Sequence, residues 1–216
     1  MHTINSAERE IKEYVIARIE PTHSMGYLIT KRFIDIVVSV AAGVVFLVPM
    51  LLITVAIRVD SRGTVIFRQE RLGKNGKPFI MYKFRTMYMD AEKYGPQWAE
   101  RIDWRCTRVG RILRKTRLDE LPQIWNILRG EMSIVGPRPE RAYFYDQFET
   151  YIHGFCNRLV VKPGLTGWAQ INGGYDLKPE EKIVFDMEYI EKQSFMLDME
   201  CILRTVRLIF THEGAR

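Results

Sequence analysis

An uncharged run of 22 residues, 36–57, most constrains how this chain of 216 residues can fold. As a straight helix rising about 1.5 Å per residue it would extend roughly 33 Å, enough to cross the hydrocarbon core of a bilayer. Pro49 lies inside the run and removes a backbone donor, so a kink is expected there. The run therefore predicts a membrane helix with a bend.

Both flanks of the run are basic, with Lys31 and Arg32 before it and Arg58, Arg62 and Arg68 after it. Cationic flanks favour the cytoplasmic side of a membrane, so a helix with both ends on that side must turn back. A kinked single-pass helix is the alternative, because membrane helices tolerate proline. These features leave both topologies open.

The remaining composition points to a phosphate-binding protein of a reducing compartment. Lys and Arg number 32 against 26 Asp and Glu, giving a net charge of +6. A surface of that sign suits lipid head groups, nucleotides and nucleic acid alike. The cysteines, Cys106, Cys156 and Cys201, are odd in number and lack C-x-x-C spacing, which argues against a disulfide framework and a zinc site.

Periodicity and turn residues predict elements on both sides of the membrane run. At the N-terminus, Ile11, Val15 and Ile19 predict a short amphipathic helix over 6–20, ended by Pro21. After the run, strands at 65–67 and 79–84 flank an Asn-Gly turn at 75–76 and predict a hairpin.

The polar region 87–104 has no clean period and is interpreted as a loop or short helix. A helix is expected to begin at Pro179, and an amphipathic helix over 199–210 is expected either to pack on the core or to dock at a membrane interface.

The densest chemical signal is a cationic cluster followed by two carboxylates. Arg108, Arg111 and Arg114 recur every three residues, and Asp119 and Glu120 follow directly. An apolar helical face over 121–128 places the acidic pair at a helix N-terminus, where backbone N–H groups favour anions. The pair could be a simple helix cap, or an attacking oxygen and magnesium ligand beside arginines that neutralise a pyrophosphate.

Three further segments could contact a ligand. Arg138 stands between two prolines after Gly136, which restricts the backbone on both sides, as a phosphate clamp or an incidental rigid turn would require. Lys83 lies on the second hairpin strand and shares a face with Arg85. A glycine-rich region over 162–174 suits close approach by a ligand or ordinary turns.

Five motifs occur together and in one order. They are Lys31-Arg32-Phe33-Ile34-Asp35, Tyr82-Lys83-Phe84-Arg85-Thr86-Met87, Leu118-Asp119-Glu120-Leu121-Pro122-Gln123, Gly136-Pro137-Arg138-Pro139 and Pro163-Gly164-Leu165-Thr166-Gly167-Trp168-Ala169-Gln170. Together they resemble the bacterial sugar transferases called monotopic phosphoglycosyltransferases, over about residues 28–212. One departure is Val48, because the family often has serine before the proline at the bend.

The resemblance implies an α/β fold that is mostly helical with a small β-hairpin. It implies an N-terminal extension over 1–27, a re-entrant or single-pass membrane helix over 28–60 kinked at Pro49, and a compact cytosolic catalytic domain over 61–216 with interfacial amphipathic helices. The chain would lie in the bacterial inner membrane with its catalytic domain on the cytoplasmic face.

The resemblance also implies a two-step reaction that needs Mg²⁺. Asp119 would attack the sugar-bearing phosphate of a UDP-sugar and release UMP, and undecaprenyl phosphate would then take the phospho-sugar. Asp119 and Glu120 would be the catalytic residues and would bind Mg²⁺, and Glu120 would also assist proton transfer. Phosphates would be held by Arg114, Arg138 and Lys83. Asp186 and Asp198 match acidic positions that support the active site in the family, and both are grouped with the substrate-binding residues.

Several alternatives stay open. A membrane-anchored nucleotide-binding protein or a non-catalytic scaffold of a glycan-assembly complex would also explain the charge, although neither requires the acidic pair. The donor sugar is open among galactose, glucose, N-acetylgalactosamine and a modified hexosamine, and the polymer among capsule, exopolysaccharide, teichuronic-type wall polymer and glycoprotein glycan. We expect no nucleic-acid partner, while homodimerisation and contact with downstream glycosyltransferases are undecided.

Overall fold

A computed structural model describes residues 13–21, 24–93, 95, 103–174 and 177–211. The helices are α1 Met25–Val45, α2 Leu47–Asp60, α3 Arg108–Thr116, α4 Ile124–Arg129, α5 Ala142–Glu149, α6 Trp168–Ile171, α7 Pro179–Glu191 and α8 Phe195–Thr211. The strands are β1 Tyr14–Val15, β2 Ile66–Leu72, β3 Pro78–Phe84, β4 Ser133–Val135, β5 Ile152–His153 and β6 Gly164–Thr166. Three 3₁₀ turns cover Lys74–Gly76, Leu118–Gln123 and Phe155–Val160. The fold is thus α/β and mostly helical, as the sequence predicts.

The strands of the described part form small sheets rather than one large one. β2 and β3 form an antiparallel hairpin with Ile66 opposite Phe84, while β1 pairs with β5 and β4 with β6 in parallel. The predicted hairpin is confirmed, with a first strand that extends to Leu72. Its turn uses Asn75 at φ 58°, a left-handed conformation that asparagine tolerates better than most residues.

α1 and α2 meet at a bend of 60°. Among the described residues, no single helix combines the length and apolarity needed to cross a membrane, whereas this bent pair taken together does so by length and composition. The break is at Phe46, and Pro49 follows in the first turn of α2. Because proline has no N–H to offer the carbonyl four residues earlier, the helical ladder is interrupted at Val45.

The N-terminal helix predicted over 6–20 is wrong from Glu13 onward, and residues 6–12 lie outside the described part. The Tyr14 amide donates to the Tyr151 carbonyl at 2.9 Å, and the Ile16 amide donates to that of His153 at 2.8 Å. Tyr14 and Ile16 pack on the core, whereas Val15 between them is 81% exposed. Pairing with β5 therefore overrides the weak four-residue period, and the apolar residues alternate as in a strand.

Most side chains of the main core come from residues 133–208. One buried cluster contains Phe144 and Phe148 of α5, Phe155 of the third 3₁₀ turn, Ile183 of α7 and Cys201 of α8. A second cluster joins α2 to the hairpin and α3 through Ile53, Ile57, Phe84 and Leu113. The bent helix pair is therefore packed on the domain through α2 as well as α1.

α7 begins at Pro179 and α8 covers the predicted amphipathic segment. On α8, Asp198 and Cys201 are buried, while Leu203 is 65% exposed and Val206 is also exposed. Part of the predicted apolar stripe therefore faces outward instead of packing on the core. The side chain of Phe210 lies outside the described part.

Candidate active site

A cavity of about 800 Å³ opens between the β2–β3 hairpin, the 3₁₀ turn Leu118–Gln123 and the loop after β4. Five of the predicted site residues line it, namely Lys83, Arg114, Asp119, Glu120 and Arg138. They come from four separate elements. Residues that the sequence spreads over 56 positions are thus gathered around one space.

Asp119 and Glu120 are positioned by an abrupt joint between two helical segments. α3 ends at Thr116, and Arg117 adopts φ 58° and ψ 13° before the 3₁₀ turn starts at Leu118. The left-handed residue reverses the chain within one position, so the acidic pair occupies the first turn of a new helical segment. α4 continues from that turn and ends at Arg129, and Gly130 caps it with φ 79°.

Glu120 is held by two cations. Lys83 Nζ donates to Glu120 Oε1 at 2.8 Å, and the Arg138 guanidinium donates to both carboxylate oxygens. Burial by itself would raise the pKa of Glu120, but the charges of Arg138 and Lys83 outweigh it and hold that pKa well below its usual range. Glu120 is therefore ionised and fixes two cations at the cavity wall.

Asp119 has a different environment although it is the adjacent residue. It is 7% exposed, and Lys83 Nζ lies 3.8 Å from its Oδ2. Burial raises its pKa to about 6, with Lys83 opposing the rise and the Glu120 charge adding to it. The two carboxylates thus differ in role: Glu120 is neutralised by partners, while Asp119 is a destabilised carboxylate facing the cavity.

Arg114 reaches the cavity from α3. Its Nη1 is 2.9 Å from Cys106 Sγ and 3.7 Å from Asp103 Oδ2, and Asp103 also pairs with Arg105. Arg117 lines the cavity as well, whereas Arg108 and Arg111 do not. The cationic cluster is therefore divided by the helix into a cavity side and an outer side.

Arg138 is fixed through its backbone, as expected for a preorganised clamp. The Arg158 guanidinium donates to the Arg138 carbonyl at 2.8 Å, and the Gly164 amide donates to the Pro137 carbonyl at 2.9 Å. A side chain on Gly136 would collide with the Lys162 carbonyl oxygen. The glycine-rich region therefore serves close packing of backbone behind Arg138, and its residues 162–174 do not line the cavity.

Two of the predicted site residues do not line the cavity. Asp186 is buried in α7, where Oδ2 lies 2.7 Å from Arg158 Nη2, so it lies behind the Arg138 loop. Asp198 lies elsewhere, and accepts hydrogen bonds from Lys31 at 2.7 Å and Tyr189 at 2.7 Å. The sequence shows that both residues lie on helices but not which way their side chains point.

Glu140 and Lys182 are cavity residues that the sequence does not single out. Glu140 lies 3.3 Å from Lys182 Nζ and 3.1 Å from Arg71 Nη1. Lys182 comes from α7, Arg71 from the hairpin and Glu140 from the loop after β4, so the two ion pairs connect three elements of the cavity wall. No local sequence signal marks Glu140 or Lys182, because each lies among other charged residues, such as Arg141 beside Glu140 and Glu181 beside Lys182.

The donor set of the cavity suits Mg²⁺. Carboxylate oxygens of Asp119 and Glu120 are hard ligands, and Mg²⁺ typically takes one or two carboxylates together with substrate phosphates. Among the residues that the structure describes, no group of three or more His, Cys, Asp or Glu side chains forms a closed metal cage. An ion here would therefore share its coordination between protein and substrate.

Comparison with known proteins adds a family match. The family described as "Bacterial sugar transferase" matches residues 26–212. A UDP-N-acetylgalactosamine-undecaprenyl-phosphate N-acetylgalactosaminephosphotransferase of Aeromonas hydrophila is 44% identical over 96% of this chain and 52% of its own length. A UDP-glucose:undecaprenyl-phosphate glucose-1-phosphate transferase of Escherichia coli is 42% identical over 86% of this chain and 41% of its own length.

A shorter relative matches over nearly its whole length. The uncharacterized sugar transferase EpsL of Bacillus subtilis is 38% identical over 87% of this chain and 90% of its own length. By contrast, the chain spans only about half the length of the two transferases whose donor sugars are named. The shared part includes the segment that holds the cavity residues.

Proposed function

The chain belongs to the bacterial sugar transferase family, and from that premise we propose that it transfers a sugar 1-phosphate from a UDP-sugar to undecaprenyl phosphate and releases UMP. The product would be a lipid-linked diphosphate sugar, made in the first membrane step of a cell-surface glycan pathway. The names of the two transferases support the reaction type, and they differ in the sugar.

One observation supports the proposal most strongly. Asp119 is a buried carboxylate whose pKa is raised to about 6, and it faces a cavity with Lys83, Arg114 and Arg138 on its walls. A carboxylate that is poorly stabilised by its surroundings is a stronger nucleophile than a fully paired one. The surrounding cations would neutralise the charge of an incoming pyrophosphate.

The reaction proceeds in two displacements at phosphorus. An Asp119 oxygen attacks the sugar-bearing phosphorus of the UDP-sugar, an Asp119–phosphate bond forms, and the bond to the UMP oxygen breaks. A phosphate oxygen of undecaprenyl phosphate then attacks the same phosphorus. The bond to Asp119 breaks, and the carboxylate is regenerated.

The neighbouring residues bind and orient. Glu120 holds Arg138 and Lys83 at the cavity wall, where they would bind the transferred phosphate, and Arg114 lines the same cavity. Asp119 and Glu120 would hold Mg²⁺, which neutralises pyrophosphate oxygens when it is bound. Glu140 and Lys182 also line the cavity.

We further propose that the bent helix pair enters the membrane as a re-entrant segment from the cytoplasmic face. α1 and α2 expose large apolar side chains along their length, among them Phe33, Val37, Val40, Val44, Leu47, Leu51 and Val55. α8 adds exposed Met196 and Leu203. Such surfaces are stable in contact with lipid, and the lipid acceptor would then meet the cavity at the membrane surface.

The test is UMP release by detergent-purified protein with Mg²⁺ and a panel of UDP-sugars. Without acceptor, one UMP per active site is expected from one donor sugar; with undecaprenyl phosphate, release becomes catalytic. Asp119→Asn should abolish both, while Asp146→Asn, an exposed carboxylate on α5, should change neither. Binding of UDP-sugar without release of UMP by the wild type would instead favour the nucleotide-binding or scaffold reading.

A further inference from the structure

One face of α1 is fastened to the C-terminal end of α4. Arg32 Nη1 donates to the Ile127 carbonyl at 2.6 Å, and Nη2 donates to the Leu128 carbonyl at 2.7 Å. The last carbonyls of a helix have no partner within it, and here the Ile127 carbonyl also accepts from the Gly130 amide at 2.9 Å, so the guanidinium is a second donor to Ile127 and a donor to Leu128. α4 is six residues long, and Arg32 ties its C-terminal end to α1.

The same face of α1 is fastened to β4 one turn later. Asp35 is 4% exposed, and it accepts hydrogen bonds from Ser133 Oγ at 3.1 Å and from the Ile134 amide at 2.9 Å. Residues three apart on a helix are neighbours, so Arg32 and Asp35 act from one side. A carboxylate buried at the start of an apolar run is costly unless it is hydrogen-bonded, and here both partners come from β4.

These two attachments hold the elements that bear the proposed catalytic groups. The 3₁₀ turn with Asp119 runs directly into α4, and β4 runs directly into Gly136 and Arg138. The chain from Asp119 to Arg138 is therefore held at α4 and at β4 by one helix. On the side that faces the cavity, the two ends of this segment are joined by the ion pair between Glu120 and Arg138.

We propose that Arg32 and Asp35 are positioning residues that make α1 part of the catalytic frame, setting Asp119 and Arg138 relative to each other. The inference rests on the proposed function, because it concerns the geometry of attack on the sugar-bearing phosphate. It differs from the anchoring role of α1, which concerns where the protein resides and access to the lipid acceptor.

The two roles separate in the donor half-reaction, which contains no lipid acceptor. UMP release from UDP-sugar, followed in detergent, should fall in Arg32→Met and Asp35→Leu on the order of 10²-fold at saturating donor, as for reacting groups displaced by about 1 Å. The KM for UDP-sugar should change much less. Asp35→Asn retains an oxygen acceptor and should recover most of the rate, and Arg32→Lys, with a single ammonium for two carbonyls, should be intermediate.

Two controls separate positioning from general damage. Val40→Ala shortens an exposed side chain of α1 and should leave the half-reaction unchanged. Ile152→Val creates a small defect in the main core and should lower the melting temperature by about 1–6 °C. If Ile152→Val lowers the half-reaction as much as an Arg32 or Asp35 variant of equal melting temperature, the effect is one of stability and the inference fails.

A readout without substrates tests the frame independently of turnover. Amide hydrogen exchange over 124–135 should accelerate in Arg32→Met and Asp35→Leu, while exchange in α7 stays as in the wild type. Unchanged exchange over 124–135, or a normal half-reaction with loss only when the lipid acceptor is required, would overturn the inference. Absence of UMP release from the wild type would overturn the proposed function instead, and the exchange experiment keeps the two failures distinct.

Discussion

Replacing Asp119 by asparagine should stabilise the folded protein while it abolishes UMP release. Burial raises the pKa of this carboxyl from 3.8 to about 6, so the folded state disfavours the charge that the nucleophile needs. The neutral amide has almost the same shape and avoids that cost. Sites of this kind commonly trade stability for activity.

The sign and size of the effect follow from proton linkage. Between the unfolded pKa of 3.8 and the folded value of about 6, the folded state binds more protons than the unfolded state, so the free energy of unfolding falls as pH rises through that window. At pH 7 the full cost is about 3 kcal/mol, because one pKa unit corresponds to about 1.4 kcal/mol. For a chain of this size this amounts to roughly 6–12 °C in melting temperature.

The assay is thermal unfolding of wild type and Asp119→Asn in detergent with EDTA, between pH 4 and pH 8. The variant should melt higher at pH 7, and the difference should shrink to a small fraction as pH falls to about 4, where the wild-type carboxyl is protonated in the folded state and partly protonated in the unfolded state. Asp146→Asn, which removes an exposed carboxylate, serves as the control. A variant that melts at or below the wild type at pH 7, or a gap that does not depend on pH, would refute the reasoning.

Three further outcomes are expected. Because only the Asp119 carboxylate can attack, the wild-type donor half-reaction should rise with pH and reach half its plateau near pH 6, and a flat profile of UMP release from pH 4.5 to 8 would contradict this. Gly136→Ala should lower the free energy of unfolding by about 1–3 kcal/mol, because the added Cβ would collide with the Lys162 backbone. At Gly43 in α1 an added Cβ would meet no atom within 4 Å, so Gly43→Ala should leave the free energy of unfolding unchanged or raise it. Cys156 is exposed while Cys106 and Cys201 are buried, so alkylation of the native protein followed by mass spectrometry should modify Cys156 first. The modification should be slow, because partial burial of the thiol and the nearby Glu149 carboxylate raise the pKa of Cys156 to about 11.

The elements that could be predicted from sequence are those whose cause is local. Pro179 at the start of α7, Gly130 after α4 and the Asn75-Gly76 turn each impose a backbone conformation by their own chemistry. The bend between α1 and α2 likewise follows from the missing N–H of Pro49. These features need no knowledge of distant residues.

What the sequence could not provide depends on distant partners. β1 is a strand because the carbonyls of Tyr151 and His153 accept its hydrogen bonds, and no residue near Tyr14 in the sequence indicates these partners. The sequence pointed to the acidic pair and Arg138 as candidate site residues. It did not point to the Glu140–Lys182 pair, because these two residues are 42 positions apart in the chain. Asp198 was grouped with the substrate-binding residues because it matches an acidic position of the resembled family, and a single sequence does not show that its partners are Tyr27, Lys31 and Tyr189.

The conformation of Arg117 limits where related proteins can gain or lose residues. This left-handed residue connects α3 to the turn with Asp119 without any spacer, so one inserted or deleted codon between 116 and 120 would rotate the nucleophile away from Lys83 and Arg138. The hairpin tip at Asn75 does not position a catalytic residue, and a side chain on Gly76 would meet nothing within 4 Å. Viable insertions recovered from a random library should therefore accumulate at 74–77 and be absent from 116–120.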